Sequence, residues 1–265
     1  MTAPAPPAPP AFVVAEVSRR YGEHLALAPL SLRVEQGETV AIVGPSGSGK
    51  TTLLNLLGGV LSPSSGTITV LGRRLDTLRS GRERAEQIGM MHQQFDLVPN
   101  LAAMHNVLAG NLGRWGLARS LLSLSQPQGR ARADEALRRV GLAGRGGVRT
   151  ARLSGGEQQR VALARLLVQN PHALLADEPV SSLDPARAEA LVALLVEMAR
   201  EGGHTLVASL HVVDLALRHF QRVIGLRDGV VLFDRHPRDI TQDDLDRLYA
   251  FEAADTGARQ ELAAR

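Results

Sequence analysis

The feature that most constrains this chain is one unbroken stretch, Gly44-Pro45-Ser46-Gly47-Ser48-Gly49-Lys50-Thr51. It fits the G-x-x-x-x-G-K-[ST] pattern in full. It follows the β-branched run Thr39–Val43 and precedes an apolar helical stretch, Lys50–Leu61. Glycines at these positions let backbone N–H groups curl around phosphate oxygens, and a helix N-terminus adds partial positive charge. Lys50 is in reach of terminal phosphates, and the Thr51 hydroxyl is a ligand for Mg²⁺. Of the 30 Lys and Arg residues, only the one at position 50 is lysine. A site that needs a compact ammonium rather than a planar fork resists that replacement. A glycine-rich turn without a ligand is the alternative, and the agreement of pattern with context argues against it.

The rest of the chain alternates strands and helices. Glu16–Val17 and Leu30–Val34 read as edge strands, Thr39–Val43 as a strand buried on both faces, and Thr67–Leu71 as another strand. A helical region follows, with patterns at Ala103–Leu112 and Ala131–Val140. Strand Ala173–Ala176, helix Pro185–Arg200, strand Thr205–Leu210, helix Val212–Phe220 and a hairpin over Val223–Asp234, turning at Asp228–Gly229, complete the alternation. A late helix is expected over Thr241–Phe251. Asp184 and Pro185 mark the start of their helix as cap and first residue. Ala188, Leu191, Leu195 and Met198 give it one buried stripe. Strands separated by helices imply a parallel, doubly wound sheet whose ligands sit at the carboxyl ends of the strands.

Two further stretches carry chemistry. Leu174-Leu175-Ala176-Asp177-Glu178 is an apolar strand that ends in two acids. At a sheet's carboxyl end, Asp177 can hold a metal's hydration shell and Glu178 can polarise an attacking water. Leu153-Ser154-Gly155-Gly156-Glu157-Gln158 opens a helical run, Gln159–Val168. Ser154 and Glu157 form an S-x-x-E capping box. A capping box needs no pair of glycines, and Gly155–Gly156 leave a second helix end bare for an anion. One nucleotide site with two phosphate-seeking helix ends suggests a dimer in which each subunit completes the other's site.

Composition excludes several classes. The absence of cysteine removes disulfides and thiolate metal sites and suits a reducing compartment. No apolar run approaches the roughly 18–20 residues that span a bilayer, and the Pro/Ala-rich start lacks the features of a signal peptide. Net charge is +3 with a pI of 10.1, yet aromatic residues make up only 3%. No basic stripe interleaved with aromatics is present, so nucleic acid is not an expected partner.

Together these motifs resemble those of the ATPase subunits of ABC transporters: Walker A at Gly44–Thr51, the signature at Leu153–Gln158 and Walker B at Leu174–Glu178. The resemblance extends over roughly Phe12–Asp234. It implies an α/β fold: a P-loop NTPase core with a parallel sheet, an N-terminal antiparallel β subdomain and an inserted helical subdomain. Residues 12–252 would form a single domain, with the helical part at about 95–165, between a Pro/Ala-rich tail over 1–11 and a C-terminal tail over 253–265. ATP and Mg²⁺ are the implied cofactors. The implied ATP-binding residues are Tyr21, stacked on adenine, and Gly44, Pro45, Ser46, Gly47, Ser48, Gly49, Lys50, Thr51 and Thr52. Ser154, Gly155, Gly156 and Glu157 would act across a homodimer. Ser181 and Asp184 match the D-loop that crosses its interface. Glu178, His211, Gln93 and Lys50 are the implied catalytic set, and Thr51, Gln93 and Asp177 the metal set. Glu157 stands where glutamine is more common, and His92 precedes Gln93 where an aromatic residue is usual. Neither removes a catalytic group.

Within that family, residues 93–122, 176–185 and 211–234 and the late DLDRLY helix look like the ATPase of phosphonate importers. Such ATPases lack a C-terminal regulatory domain, and the resemblance implies none here. The resemblance implies two ATPases on the cytoplasmic face of a bacterial inner membrane, two permeases and a periplasmic substrate-binding protein. Importers of polar amino acids and lipoprotein-release ATPases share every catalytic motif and stay open as alternatives, as does a different class, a non-transport accessory ATPase of phosphonate breakdown that would bind a soluble enzyme instead of a permease.

Overall fold

A computed structural model describes residues 8–78, 81–92, 95–113, 129–181 and 183–250. Strands β1 (Phe12–Tyr21), β2 (His24–Val34), β4 (Ser65–Val70) and β5 (Arg73–Arg74) form an antiparallel sheet ordered β2-β1-β4-β5. A six-stranded sheet is ordered β10-β9-β3-β8-β7-β6, from β3 (Thr39–Val43), β6 (Ile88–Met91), β7 (Ala173–Asp177), β8 (Thr205–Leu210), β9 (Arg222–Arg227) and β10 (Val230–Arg235). All of its pairings are parallel except the β9–β10 hairpin. The helices are α1 (Lys50–Leu57), α2 (Arg82–Gln87), α3 (Ala103–Leu108), α4 (Arg130–Arg139), α5 (Gly155–Gln169), α6 (Pro185–Glu201), α7 (Val213–His219) and α8 (242–250).

The central strands divide two hydrophobic clusters by simple alternation. Val40 and Ile42 face the cluster shared with α1 and the antiparallel sheet. Ala41 and Val43 face the one shared with α3, α4, α5, α6 and α7. Leu175 and Val207 follow the first pair, and Leu174 and Leu206 the second. Apolar residues on both faces are why these strands read as continuous hydrophobic runs. The expected stripe of Ala188, Leu191, Leu195 and Met198 is buried on α6. Asp184 caps that helix by accepting from the Arg187 amide at 3.1 Å.

Several boundaries differ from expectation. Strand β1 runs ten residues, not two. Glu16 sits at φ 49 beside register shifts against β2, and this breaks the polar–apolar alternation. Helix α1 stops at Leu57, well short of Leu61, because Gly58 and Gly59 follow it and Gly59 takes a left-handed φ of 65. Strand β4 ends at Val70, and Leu71 at φ 47 opens the turn into β5. Helix α2 and edge strand β6 were not anticipated; β6 is only Ile-Gly-Met-Met. The β9–β10 turn matches expectation. Asp228 and Gly229 both have positive φ, as a two-residue turn between twisted strands requires.

Candidate functional site

The loop between β3 and α1 is pinned from both sides by backbone. A Cβ on Gly44 would lie 1.9 Å from the carbonyl oxygen of Leu226 on β9. One on Gly49, at φ 103, would lie 2.9 Å from the Ala26 oxygen on β2. The Gly229 amide donates to the Ser48 oxygen at 3.0 Å, and the Gly229 oxygen accepts from Ala28 at 2.9 Å. The β9–β10 turn therefore wedges between β2 and the loop. Two of the motif glycines are demanded by this close approach, and no side chain fits in their place.

Lys50 is 4% exposed. Its Nζ donates to the oxygens of Gly44 and Pro45 at 2.8 and 2.9 Å, so the ammonium caps its own loop. Ser48 Oγ is buried without a hydrogen-bond partner. A buried hydroxyl normally finds one, and an anion cradled by the loop would satisfy it. Above the loop lies a cleft of about 310 Å³ lined by Tyr21, His24, Ala26, Ser46, Gly47, Ser48, Gly49, Lys50, Thr51, Thr52 and Glu178. Tyr21 is exposed at its mouth, with the Arg19 guanidinium 4.5 Å from the ring centroid.

Strands β7 and β8 bring the acids to this cleft. Asp177 and Ser209 are direct partners in the parallel ladder. Asp177 Oδ1 accepts from Ser209 Oγ at 2.7 Å and from Thr51 Oγ1 at 3.1 Å. A carboxylate beside a hydroxyl at the foot of a phosphate loop is a hard-oxygen donor set that suits Mg²⁺. Glu178 takes a left-handed φ of 47, rare for a residue with a side chain. Its amide donates to Ser209 Oγ at 2.8 Å, and its Oε1 lies 2.5 Å from Nε2 of His211. The Gln159 amide, fully buried on α5, donates to the Pro179 oxygen at 2.9 Å, tying that helix to the residue after Glu178. Ser209 and Gln159 were missed in the sequence. No spacing in the sequence marks Ser209; its role arises from the register of β7 and β8, which pairs it with Asp177.

The second expected helix end lies elsewhere on the surface. Ser154 caps α5 through a full capping box. Glu157 returns its carboxylate to the Ser154 amide at 2.9 Å and to Arg145 at 2.9 Å. The Ser154 amide, helped by Arg145, holds the Glu157 carboxyl below the usual carboxylate range. Ser154, Gly156 and Glu157 line a separate groove with Arg160, Leu183, Arg187 and Leu191, and none of these lines the phosphate-loop cleft. A Cβ on Gly155 would meet nothing within 4 Å. Ser181 and Leu183 border a third cavity, of about 510 Å³, whose other walls include Glu178 and His211. Of the expected residues, the structure thus gathers Tyr21, Ser46–Thr52, Asp177, Glu178 and His211. It leaves Ser154–Glu157 apart. Gln93 lies outside the described residues.

This fold and this loop define a P-loop nucleotide-binding cassette. The comparisons narrow the class. The family model for "ABC transporter" matches residues 27–181, and the chain belongs to the ABC transporter ATPase family. As a member it binds and hydrolyses ATP. It is 47% identical over 237 residues to "Phosphonates import ATP-binding protein PhnC" of Pseudomonas putida, covering 89% of this chain and 88% of that one. It is 48% identical over 246 residues to the protein of the same name in Anaeromyxobacter dehalogenans, covering 92% of this chain and 49% of that longer protein. The chain therefore spans about half the length of the second relative. Among solved structures, it resembles the dimeric ABC transporter cassette MJ0796 (TM-score 0.76, 34% identity, 86% of this chain and all of that one). A post-hydrolysis dimer of MJ0796 bound to ADP and Pi matches at TM-score 0.74 and 32% identity, with the same coverage.

Proposed function

We propose that this chain is the ATP-hydrolysing subunit of an ABC importer for phosphonates. Residues 12–252 act as one cassette, with a helical part at about 95–165. The observation that carries the catalytic half is the convergence of Glu178, Asp177 and Lys50 on one phosphate-loop cleft. What supports the substrate class is the identity of nearly half to proteins named for phosphonate import.

Phosphoryl transfer needs positioning and charge neutralisation more than covalent chemistry. Lys50 and the loop amides hold the β- and γ-phosphates, and Tyr21 stacks on the adenine. Thr51, Asp177 and Gln93 would hold Mg²⁺, which when bound would neutralise phosphate charge. Glu178 orients and polarises the attacking water, and His211 contacts the γ-phosphate. Ser154, Gly155, Gly156 and Glu157 act on the partner subunit's nucleotide; what supports this is that the groove lined by Ser154, Gly156 and Glu157 shares no residue with their own chain's cleft. Ser181 and Asp184 lie at the interface between the two copies. Two such subunits sit on the cytoplasmic face of the inner membrane, against two permeases fed by a periplasmic substrate-binding protein. Among the described residues, no helix is long and apolar enough to cross a membrane. ATP-driven closure and hydrolysis-driven opening of the dimer do work on the permeases, as a two-state change biased by a ligand.

The test is uptake of a labelled alkylphosphonate by cells carrying the intact gene, a deletion, or the deletion restored with Glu178→Gln. Uptake lost in the deletion and not restored by the variant supports both halves. Unchanged uptake removes the phosphonate assignment and points to another substrate or to a soluble partner in phosphonate breakdown.

A further inference from the structure

We propose that Ser209 is a positioning residue for ATP hydrolysis: its one hydroxyl ties the side chain of Asp177 to the backbone of Glu178. It thereby fixes the metal-side and water-side carboxylates relative to each other.

The hydroxyl's bonding is fully determined. The Glu178 amide can only donate, so Ser209 Oγ accepts from it at 2.8 Å. The hydroxyl proton then goes to Asp177 Oδ1, 2.7 Å away. Ser209 is fully buried, so no water substitutes for either bond. Alanine at 209 would leave a Glu178 amide without its acceptor and Asp177 with Thr51 as its remaining side-chain donor.

The need for such a tie is visible at Glu178. Its left-handed backbone, at φ 47, is a conformation a glutamate holds only when its surroundings impose it. Strand β8 and the residue that follows it supply that constraint at two points. Ser209 holds the Glu178 amide, and His211, two residues on, meets the Glu178 carboxylate. The lateral register of β7 and β8 places Ser209 opposite Asp177, so one hydroxyl reaches both acids. A small error in a general base's placement costs far more rate than binding. The effect of Ser209 therefore belongs in turnover and metal affinity and not in affinity for the nucleotide itself.

The experiment compares full-length wild type, Ser209→Ala and Ser209→Thr. Hydrolysis is followed against ATP concentration at saturating Mg²⁺, ATP binding without metal by calorimetry, and Mn²⁺ binding in the presence of ATP by electron paramagnetic resonance in the Glu178→Gln background. The expected result for Ser209→Ala is a fall in kcat of about tenfold or more, as for loss of a buried hydrogen bond. Metal-free ATP affinity stays within about threefold, and Mn²⁺ affinity weakens severalfold. Threonine retains the hydroxyl and recovers most of kcat. Should the extra methyl of threonine unfold the chain, the Mn²⁺ measurement on Ser209→Ala decides. The proposal is overturned by a Ser209→Ala kcat within about twofold of wild type. It is equally overturned by unchanged Mn²⁺ affinity, or by a kcat loss that only tracks the folded fraction.

Discussion

Nε2 of His211 lies 2.5 Å from Oε1 of Glu178, joining the carboxyl ends of the neighbouring strands β8 and β7. The glutamate side chain is 13% exposed and the histidine 41%. A contact at that distance is a hydrogen bond when the imidazole is neutral and an ion pair when it is protonated. The pair also divides two spaces. Glu178 lines both the phosphate-loop cleft and the larger cavity bordered by Ser181, Leu183 and His211. Its carboxylate therefore stands between the nucleotide side and the loop that leads to α6.

The two kinds of glycine in this cassette predict opposite behaviour. Gly44→Ala forces a Cβ to within 1.9 Å of a backbone oxygen that cannot move aside alone. Overpacking of this kind costs about 1–3 kcal/mol or more, so both thermal stability and ATP binding fall. Gly155→Ala meets no atom within 4 Å and sits in the first turn of α5, where alanine adds about 0.4–1 kcal/mol. Its melting temperature is expected to hold or rise while ATP turnover drops, since under the proposed action in trans that space is needed only by a partner's nucleotide. A Gly155→Ala protein with normal turnover would count against the action of this helix end in trans.

The only lysine makes a sharper comparison. Lys50→Arg keeps the charge but not the shape, and a planar fork does not reproduce the buried ammonium's bonds to the Gly44 and Pro45 oxygens. ATP affinity measured by calorimetry is expected to weaken by about tenfold or more, comparable to loss of charged hydrogen bonds. Wild-type affinity in this variant would contradict the placement of Lys50 at the phosphates.

How much of this was legible depended on whether local chemistry and tertiary context agreed. The phosphate loop, the Asp184–Pro185 helix start, the capping box at Ser154 and the Asp228–Gly229 turn are local devices, and each formed where its residues imply. Strand β6 was invisible because its one β-branched residue, Ile88, is followed by Gly89 and two methionines, too weak a β signal in four residues. They become a strand only by pairing with β7. Strand β1 was read short because Glu16 breaks its alternation. Ser209 was missed for another reason. A lone serine in an apolar strand has no spacing signature, and its role exists only through the register with Asp177. Gln159 likewise looked like one more polar position on the signature helix, yet it is fully buried.

Acid titration should reveal the capping box. The folded pKa of Glu157 lies below its unfolded value, first through the Ser154 amide and then through Arg145. A depressed carboxyl adds stability above its unfolded pKa, about 4.3, and loses it as pH falls through the folded pKa. Glu157→Gln removes the titrating group. Wild type is therefore expected to melt higher than Glu157→Gln near neutrality, and the gap should close in acid, below about pH 4. Melting curves across that range check it; a gap that widens in acid would show that the sign is wrong.

The central claim is that Glu178 acts on water and not on nucleotide binding, and Glu178→Gln tests it most directly. The measurement is ATP turnover by the purified variant, with bound ATP and oligomeric state read from the same sample by size exclusion. The account predicts turnover reduced by about 10²–10⁴-fold, with ATP retained and a nucleotide-dependent dimer accumulating. Turnover at the wild-type rate, with ATP bound normally, would contradict it.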